Sequence, residues 1–358
     1  MNAPVVITRE ELRLADLADA NEAARIEAFV AVHPEGTVFH RPLWLQAIAE
    51  GTGNQALALV CEKRGELSAY LPLNEVHSPI FGRLLASSGF AVGGGVLALD
   101  DSARDAVIET AEELALRRSC PTIELRGGAM PEERESWDVQ AQSHCGFEWE
   151  LAEDDEAQLL AIPRKQRAEV RKGLSMDLTI HVGSAREDRD AHYAVYAESV
   201  RNLGTPVFPC SLFEAVLEHF GDDADVLTVR HEGAPVASVL SLYHNGAVMP
   251  YWGGGTWDAR RLRANDRMYY ELMLHARNRG CKTFDFGRSK TESGAWFFKK
   301  NWGFEPQPLT YASWTAPGAE QRDANPNSAR HALQIAVWQR LPLGIANRLG
   351  PVIARGLG

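Results

Sequence analysis

Cys281-Lys-Thr-Phe-Asp-Phe286 reads as a short strand, and it occurs twice: Cys120-Pro-Thr-Ile-Glu-Leu125 stands 161 residues earlier (281 − 120). At the same shift, Ser88-Gly-Phe-Ala-Val-Gly-Gly94 falls on Met249-Pro-Tyr-Trp-Gly-Gly-Gly255. Between the anchors lie two helical patterns, 103–118 and 264–279. Upstream of each sits a hairpin pattern, Leu57–Pro72 turning at Arg64-Gly65 and Val226–Tyr243 turning at Glu232-Gly233. Similarities in the same order, the anchors and helices at one spacing and the hairpins offset by 168 (233 − 65), indicate a duplication. Each half then reads as a mixed α/β unit of hairpin, glycine-rich crossing, helix and strand, an α/β (α+β) chain with two tandem domains. The boundaries expected are 1–152, 153–315, and a linker and tail over 316–358, with the join at the acidic stretch Glu153–Asp155.

Composition agrees with a two-domain globular chain. The length of 358 residues exceeds one ordinary core, and charged residues make up 24%. A net charge of −11 argues against a protein that wraps DNA. The five cysteines are scattered without C-x-x-C pairs, so neither a disulfide framework nor a metal site is expected. With no apolar N-terminal run and no stretch long enough to span a bilayer, the expected setting is the cytoplasm.

Four segments offer chemistry. After the Phe284-Asp-Phe286 strand, a Gly-Arg-Ser-Lys loop and an aromatic-basic segment place Arg288, Lys290, Lys299 and Lys300 where a strand hands over to a helix, a setting that holds anions. Asp285, alternating with the phenylalanines, either orients an amine and accepts a proton or is a solvated strand acid. Arg164, Arg167 and Arg171 recur at i, i+3 and i+7, with Pro163 placed to start the helix and Gly173 to end it. They form either a phosphate-binding face or an exposed helix balanced by nearby acids. Tyr251-Trp-Gly-Gly-Gly255 offers two aromatics for stacking and glycines, Gly254 among them, that let a ligand approach the backbone, unless the aromatics are core. Arg260–Asp266 precedes a helix with Asn265 or Asp266 as cap. No G-x-S-x-G elbow, H-E-x-x-H or P-loop is present. In the tail, Leu341, Ile345 and Leu349 recur at i, i+4 and i+8 among arginines; this segment either lies on a membrane surface or packs on the protein body.

The second half resembles the FemAB family of aminoacyl and acyl transferases, and in particular its exosortase/PEP-CTERM-associated branch. The resemblance rests on Ile162–Gly173, Ser199–Pro209, Pro250–Gly255, Ala264-Asn-Asp266, Phe284–Lys290, Phe298-Lys-Lys-Asn-Trp-Gly-Phe-Glu-Pro306 and the tail from Arg340. It implies two tandem domains of the GNAT acetyltransferase-like fold, with a substrate cleft between or across them. It also implies transfer of an acyl or aminoacyl group to an amine on a peptidoglycan or exopolysaccharide precursor, without a metal or a permanently bound cofactor. On this reading Lys299, with Arg288 and Lys290, holds the acceptor's phosphate or carboxylate. Asp285 or a water deprotonates the amine, and the Gly253–Gly255 backbone faces the oxyanion. The acceptor is then an anionic small molecule or a lipid- or nucleotide-linked saccharide. The donor is acyl-CoA or aminoacyl-tRNA. The absence of a helical arm and the acidic charge count against tRNA, and the lack of glycines over Arg260–Asn265 counts against acyl-CoA. Two alternatives follow: a non-catalytic assembly factor for exopolysaccharide export with a degenerate cleft, and a plain acyl-CoA-dependent N-acetyltransferase.

Overall fold

The computed structural model describes residues 11–78, 81–131, 136–320 and 329–358, the side chains of 329–334 excepted. Residues 321–328 of the expected linker and tail (316–358) therefore lie outside the description. The chain divides into two compact units, residues 1–140 with 310–323 and 356–358, and residues 141–309 with 324–355.

The first unit opens with β1 (Glu11–Ala15), α1 (Ala20–Val32), α2 (Pro42–Thr52) and the hairpin β2 (Gln55–Lys63) and β3 (Glu66–Ser78). β4 (Gly82–Ser87), β5 (Leu97–Ala98), α3 (Asp101–Arg117), β6 (Thr122–Arg126) and β7 (Trp137–Gly146) follow, β7 belonging to the second unit from Ala141 on. The hairpin turns where expected, because Arg64 and Gly65 both take positive φ (58° and 81°), the geometry a tight two-residue turn needs. β3 and β4 pair antiparallel, and β4 pairs parallel with β6 through Leu85↔Ile123 and Ala86↔Glu124. Asp100 caps α3 by accepting the Ala103 N–H at 2.8 Å, and α3 buries Val107, Ile108 and Ala111 against the sheet.

The second unit repeats this plan. It contains β8 (Glu148–Glu150), α4 (Asp155–Ala161), α5 (Arg164–Ser175), β9 (Thr179–Gly183), α6 (Arg186–Leu203), α7 (Cys210–Phe220), and the hairpin β10 (Ala224–His231) and β11 (Ala234–His244). Next come β12 (Ala247–Gly255), α8 (Ala259–Leu262), α9 (Ala264–Asn278), β13 (Thr283–Asp285), β14 (Ser289–Lys290), α10 (Gly294–Asn301), α11 (Ala329–Arg340) and α12 (Leu343–Ala354), with β15 (Gln307–Thr315) between α10 and α11 passing into the first unit from Thr310. Glu232 and Gly233 again turn the hairpin with positive φ. The sheet runs β8-β13-β12-β11-β10-β9, antiparallel except that β12 and β13 are parallel. Parallel β12/β13 is the counterpart of parallel β4/β6, so the duplicated sequence pattern corresponds to a duplicated topology.

The boundaries differ from the expected ones because edge strands do not stay with their sequence neighbours. β15 pairs with β6 through Tyr311↔Arg126 to Thr315↔Thr122, which places residues 310–315 in the first unit. β8 pairs with β13, so residues before 153 complete the second sheet. Two helix ends also differ. Gly173 is interior to α5, because the helix is pressed so close to Arg263 that a Cβ there would meet the Arg263 carbonyl at 2.9 Å. α9 is capped by neither Asn265 nor Asp266: Arg263 holds the N-cap position in left-handed backbone (φ 53°), and Pro163 is the N-cap of α5.

Candidate active site

The second unit's central strand is where the site is built. β12 pairs with β11 along its whole length, but its parallel pairing with β13 covers only Ala247↔Thr283 and Val248↔Phe284. From Met249 onward β12 forms no further ladder pair with β13, which itself ends at Asp285. Alternate backbone N–H and C=O groups of a strand point to each side, so this edge of β12 presents donors and acceptors to whatever approaches it. The ladder with β11 slips by one residue there: Leu240 faces Trp252 while Ser241 faces Pro250, leaving Tyr251 as the extra residue of a bulge. A proline has no N–H to give a central ladder, so Pro250 is the sequence signal for that bulge, and the sequence reading passed over it.

The three glycines that follow are fixed by packing. A Cβ on Gly254 would sit 2.3 Å from Ser199 Oγ of α6, and one on Gly255 would lie 2.6 Å from the Ala259 Cβ and Asn265 Oδ1. Gly254 thus lets α6 approach the strand, rather than leaving open backbone for a ligand on that face. Trp252 is likewise core. It is 4% exposed, with its ring 4.9 Å from that of Phe213 and 6.2 Å from that of Phe208. Tyr251, half-buried at the bulge, is the aromatic that remains near that edge. Tyr269 of α9 joins it there, since a Cβ on Gly253 would lie 3.2 Å from the Tyr269 hydroxyl. Burial pushes the Tyr269 phenol up to about 12, so it stays a proton donor at neutral pH. Tyr269 escaped the sequence reading; its one signal is its place a helical turn after Asn265.

Next to β12, β13 ends at Asp285. Its Oδ1 accepts the Gly287 N–H at 2.8 Å, and Gly287 takes positive φ (67°) to make the turn. Burial, with the neighbouring Glu148, pushes the Asp285 carboxyl up to about 7, against the pull of Lys299. Lys299, 8% exposed, reaches back from α10 and donates to the Gly287 and Arg288 carbonyls at 3.1 and 2.9 Å. Its ammonium also lies 5.3 and 5.4 Å from the ring centres of Phe147 and Phe286. Burial lowers its pKa to about 8, while Asp285 works to raise it. Asp285 and Lys299 therefore grip one turn from both sides, Gly287 by its N–H and by its C=O. With two N–H donors on carbonyls, Lys299 has one left for a ligand.

The other cations are dispersed. Arg288 is half-buried in the same turn; Lys290 is exposed on β14, which pairs with His144. Lys300 is exposed, with its ammonium 4.8 Å from the Trp296 ring centre. Arg164, Arg167 and Arg171 share one face of α5 and line an open groove of about 460 Å³ with Ala168, Lys172 and Ser175. Arg167 donates to the Leu160 carbonyl at 3.0 Å. The opposite side of α5 closes on the start of α9. Gln166 donates to Asp266 at 2.6 Å, and burial raises the Asp266 pKa. A carboxylate thus stands at the helix start that, in the expected donor loop, would take a phosphate.

Comparison with known proteins bears on the fold. Residues 163–300 match the family model described as an acetyltransferase (GNAT) domain. A stretch of 94 residues, 24% of the chain, is 30% identical to the lipid II:glycine glycyltransferase of Staphylococcus haemolyticus; it spans 22% of that relative. Among solved structures, FemX superposes with a TM-score of 0.63 at 16% identity, covering 84% of this chain and 96% of FemX. A tandem GNAT protein from the clavulanic acid biosynthesis pathway gives 0.55 at 12% identity, covering 87% and 100%. At these identities the likeness establishes the fold alone: the chain has a tandem GNAT-like fold, as the resemblance implied and in agreement with the duplication.

Proposed function

We propose that this chain is an N-acyltransferase that moves an acyl or aminoacyl group onto an amine of a cell-envelope precursor. The observation that carries the reading is the β12 edge beyond its pairing with β13, with a bulge at Tyr251 on one strand and the Asp285–Lys299 turn at the end of the other. An acyl carbonyl placed against β12 beyond Val248 meets a strand edge that β13 does not pair. N–H groups on that edge, with the Tyr269 hydroxyl, are suited to an oxyanion. Asp285, with a pKa near 7, accepts a proton from an ammonium, directly or through water, and yields the neutral amine. The amine nitrogen then bonds to the carbonyl carbon. The tetrahedral intermediate collapses by breaking the bond to the donor oxygen or sulfur, which leaves with the proton given up by the attacking nitrogen. Lys299 holds the turn that presents Asp285, and its remaining N–H and Arg288 are placed for an anionic group of the acceptor.

For the acceptor, the glycyltransferase relative supports a lipid-linked wall precursor; the resemblance to the exosortase-associated branch supports an exopolysaccharide precursor. For the donor, Asp266 at the start of α9 argues against a pyrophosphate seated there. Incubation of the purified protein with acyl-CoAs or charged tRNA and amine-bearing lipid-linked precursors, followed by mass spectrometry, tests the reading. A product heavier by one acyl group, formed by wild type and reduced at least 100-fold in Asp285→Asn, is the expected result. If wild type forms no adduct with any donor, yet loss of the protein changes the cell's polymer, the non-catalytic assembly reading takes its place.

A further inference from the structure

We propose that α12 is a docking surface for an anionic lipid bilayer, lying in the plane of the membrane with Ile345, Leu349 and Val352 inserted and Arg340 and Arg348 on the headgroups. The helix is inside-out. Its buried residues are the small ones, Ala346, Gly350 and Ala354, spaced four apart. At Gly350 the fit is so close that a Cβ would lie 2.9 Å from the Val207 backbone nitrogen. Its large apolar side chains face outward instead: Ile345 is 46%, Leu349 48% and Val352 63% exposed. At about 100° per residue these three share a stripe about 60° wide. This is not the scatter of single apolar residues that every surface carries. Of the sixteen exposed large hydrophobic residues among the described ones, five (Ile335, Val337, Ile345, Leu349, Val352) fall within residues 335–352.

Charge selects the occupant. Residues 335–358 contain three arginines, Arg340, Arg348 and Arg355, and no aspartate or glutamate, in a chain whose net charge is −11. Arg340 and Arg348 are exposed. A second copy docked symmetrically on this stripe would bring arginines toward arginines with no acid from the segment to balance them. An anionic membrane answers both properties at once, because apolar side chains reach the acyl boundary while arginines stay with the phosphates. The geometry is that of a surface helix: at about 1.5 Å per residue, twelve residues fall well short of a bilayer's thickness. The expected alternatives for the tail, membrane surface or protein body, thus become two faces of one helix. The stripe itself differs from the expected one. Pro342 is the N-cap, which leaves Leu341 outside the helix, and Val352 takes the third place.

The inference is independent of acyl transfer, and so is its test. The full-length protein is floated with vesicles of phosphatidylcholine alone or mixed with phosphatidylglycerol, and bound and free fractions are measured. Wild type is expected to co-float with the anionic vesicles, less so as salt is raised, and to stay largely free with phosphatidylcholine. Arg340→Ser/Arg348→Ser should lower partitioning about 25-fold, at about fivefold per charge. Ile345→Ser/Leu349→Ser/Val352→Ser should abolish it while circular dichroism and melting temperature match wild type, because all three side chains are exposed. Equal binding to neutral vesicles, absence of binding, or undiminished binding by the triple variant overturns the proposal. A dimer that forms without lipid and dissolves in the triple variant would assign the stripe to a second copy and overturn it equally.

Discussion

Replacing Lys299 with methionine keeps an unbranched apolar stem out to Cε and removes the ammonium and its charge. Two charge-assisted bonds, to the Gly287 and Arg288 carbonyls, are lost. Such bonds are worth about 1.5–3 kcal/mol each, but removing a cation from a site that is 8% exposed also removes its desolvation cost. The two effects oppose each other, and the net loss expected is about 2 kcal/mol. For a unit of this size that corresponds to a fall of about 4–8 °C in melting temperature. Asp285 supplies the second readout. Without its neighbouring cation, its pKa should climb further above about 7. Urea denaturation of wild type and Lys299→Met across pH, followed by intrinsic fluorescence, measures both effects without any substrate. An unchanged urea midpoint, or a variant with the same pH dependence as wild type, would refute the claim that Lys299 anchors the turn carrying Asp285.

Further predictions follow from the same geometry. Asp285 is held above its ordinary pKa, so its contribution to stability is full below about pH 4 and is lost as pH rises through about 7; Asp285→Asn should flatten that decline. Lys299 is held below its ordinary pKa, so its contribution is full above about pH 10.5 and is lost as pH falls through about 8; Lys299→Met should lack this rise at alkaline pH. Gly254→Ala drives a Cβ to within 2.3 Å of Ser199 Oγ and should cost about 1–3 kcal/mol by calorimetry, with Ser199→Gly restoring most of it. Trp252→Ala should cost about 3–5 kcal/mol by empty-core loss, with acceptor affinity unchanged in whatever fraction remains folded, because the indole packs on Phe208 and Phe213.

The architecture was legible wherever local rules decide structure. Arg64-Gly65 and Glu232-Gly233 turn their hairpins, the helical patterns starting near Ala103 and Ala264 are helices, and the Phe284-Asp-Phe286 stretch begins as a strand. Boundaries were not legible, because β15 and β8 are claimed by hydrogen-bonding edges far away in sequence. The glycines of Gly253–Gly255 carry the same ambiguity: the sequence shows that side chains are absent, but only the fold reveals that Ser199, Ala259 and Asn265 fill the space. Lys299 and Asp285 stood out as charges among aromatics. That they clamp Gly287 from both sides depends on its positive φ and on α10 returning over the turn, neither of which is written in spacing. The bulge at Tyr251 was written there, in Pro250.

The central claim is that chemistry occurs at the edge of β12 that β13 does not pair, beside Asp285. Single-turnover acyl transfer to an amine-bearing envelope precursor, measured by mass spectrometry against pH, tests it most directly. The rate should rise as pH passes through about 7, where Asp285 loses its proton, and that limb should vanish in Asp285→Asn. Transfer by Asp285→Asn at the wild-type rate, with the same pH profile, would contradict the account.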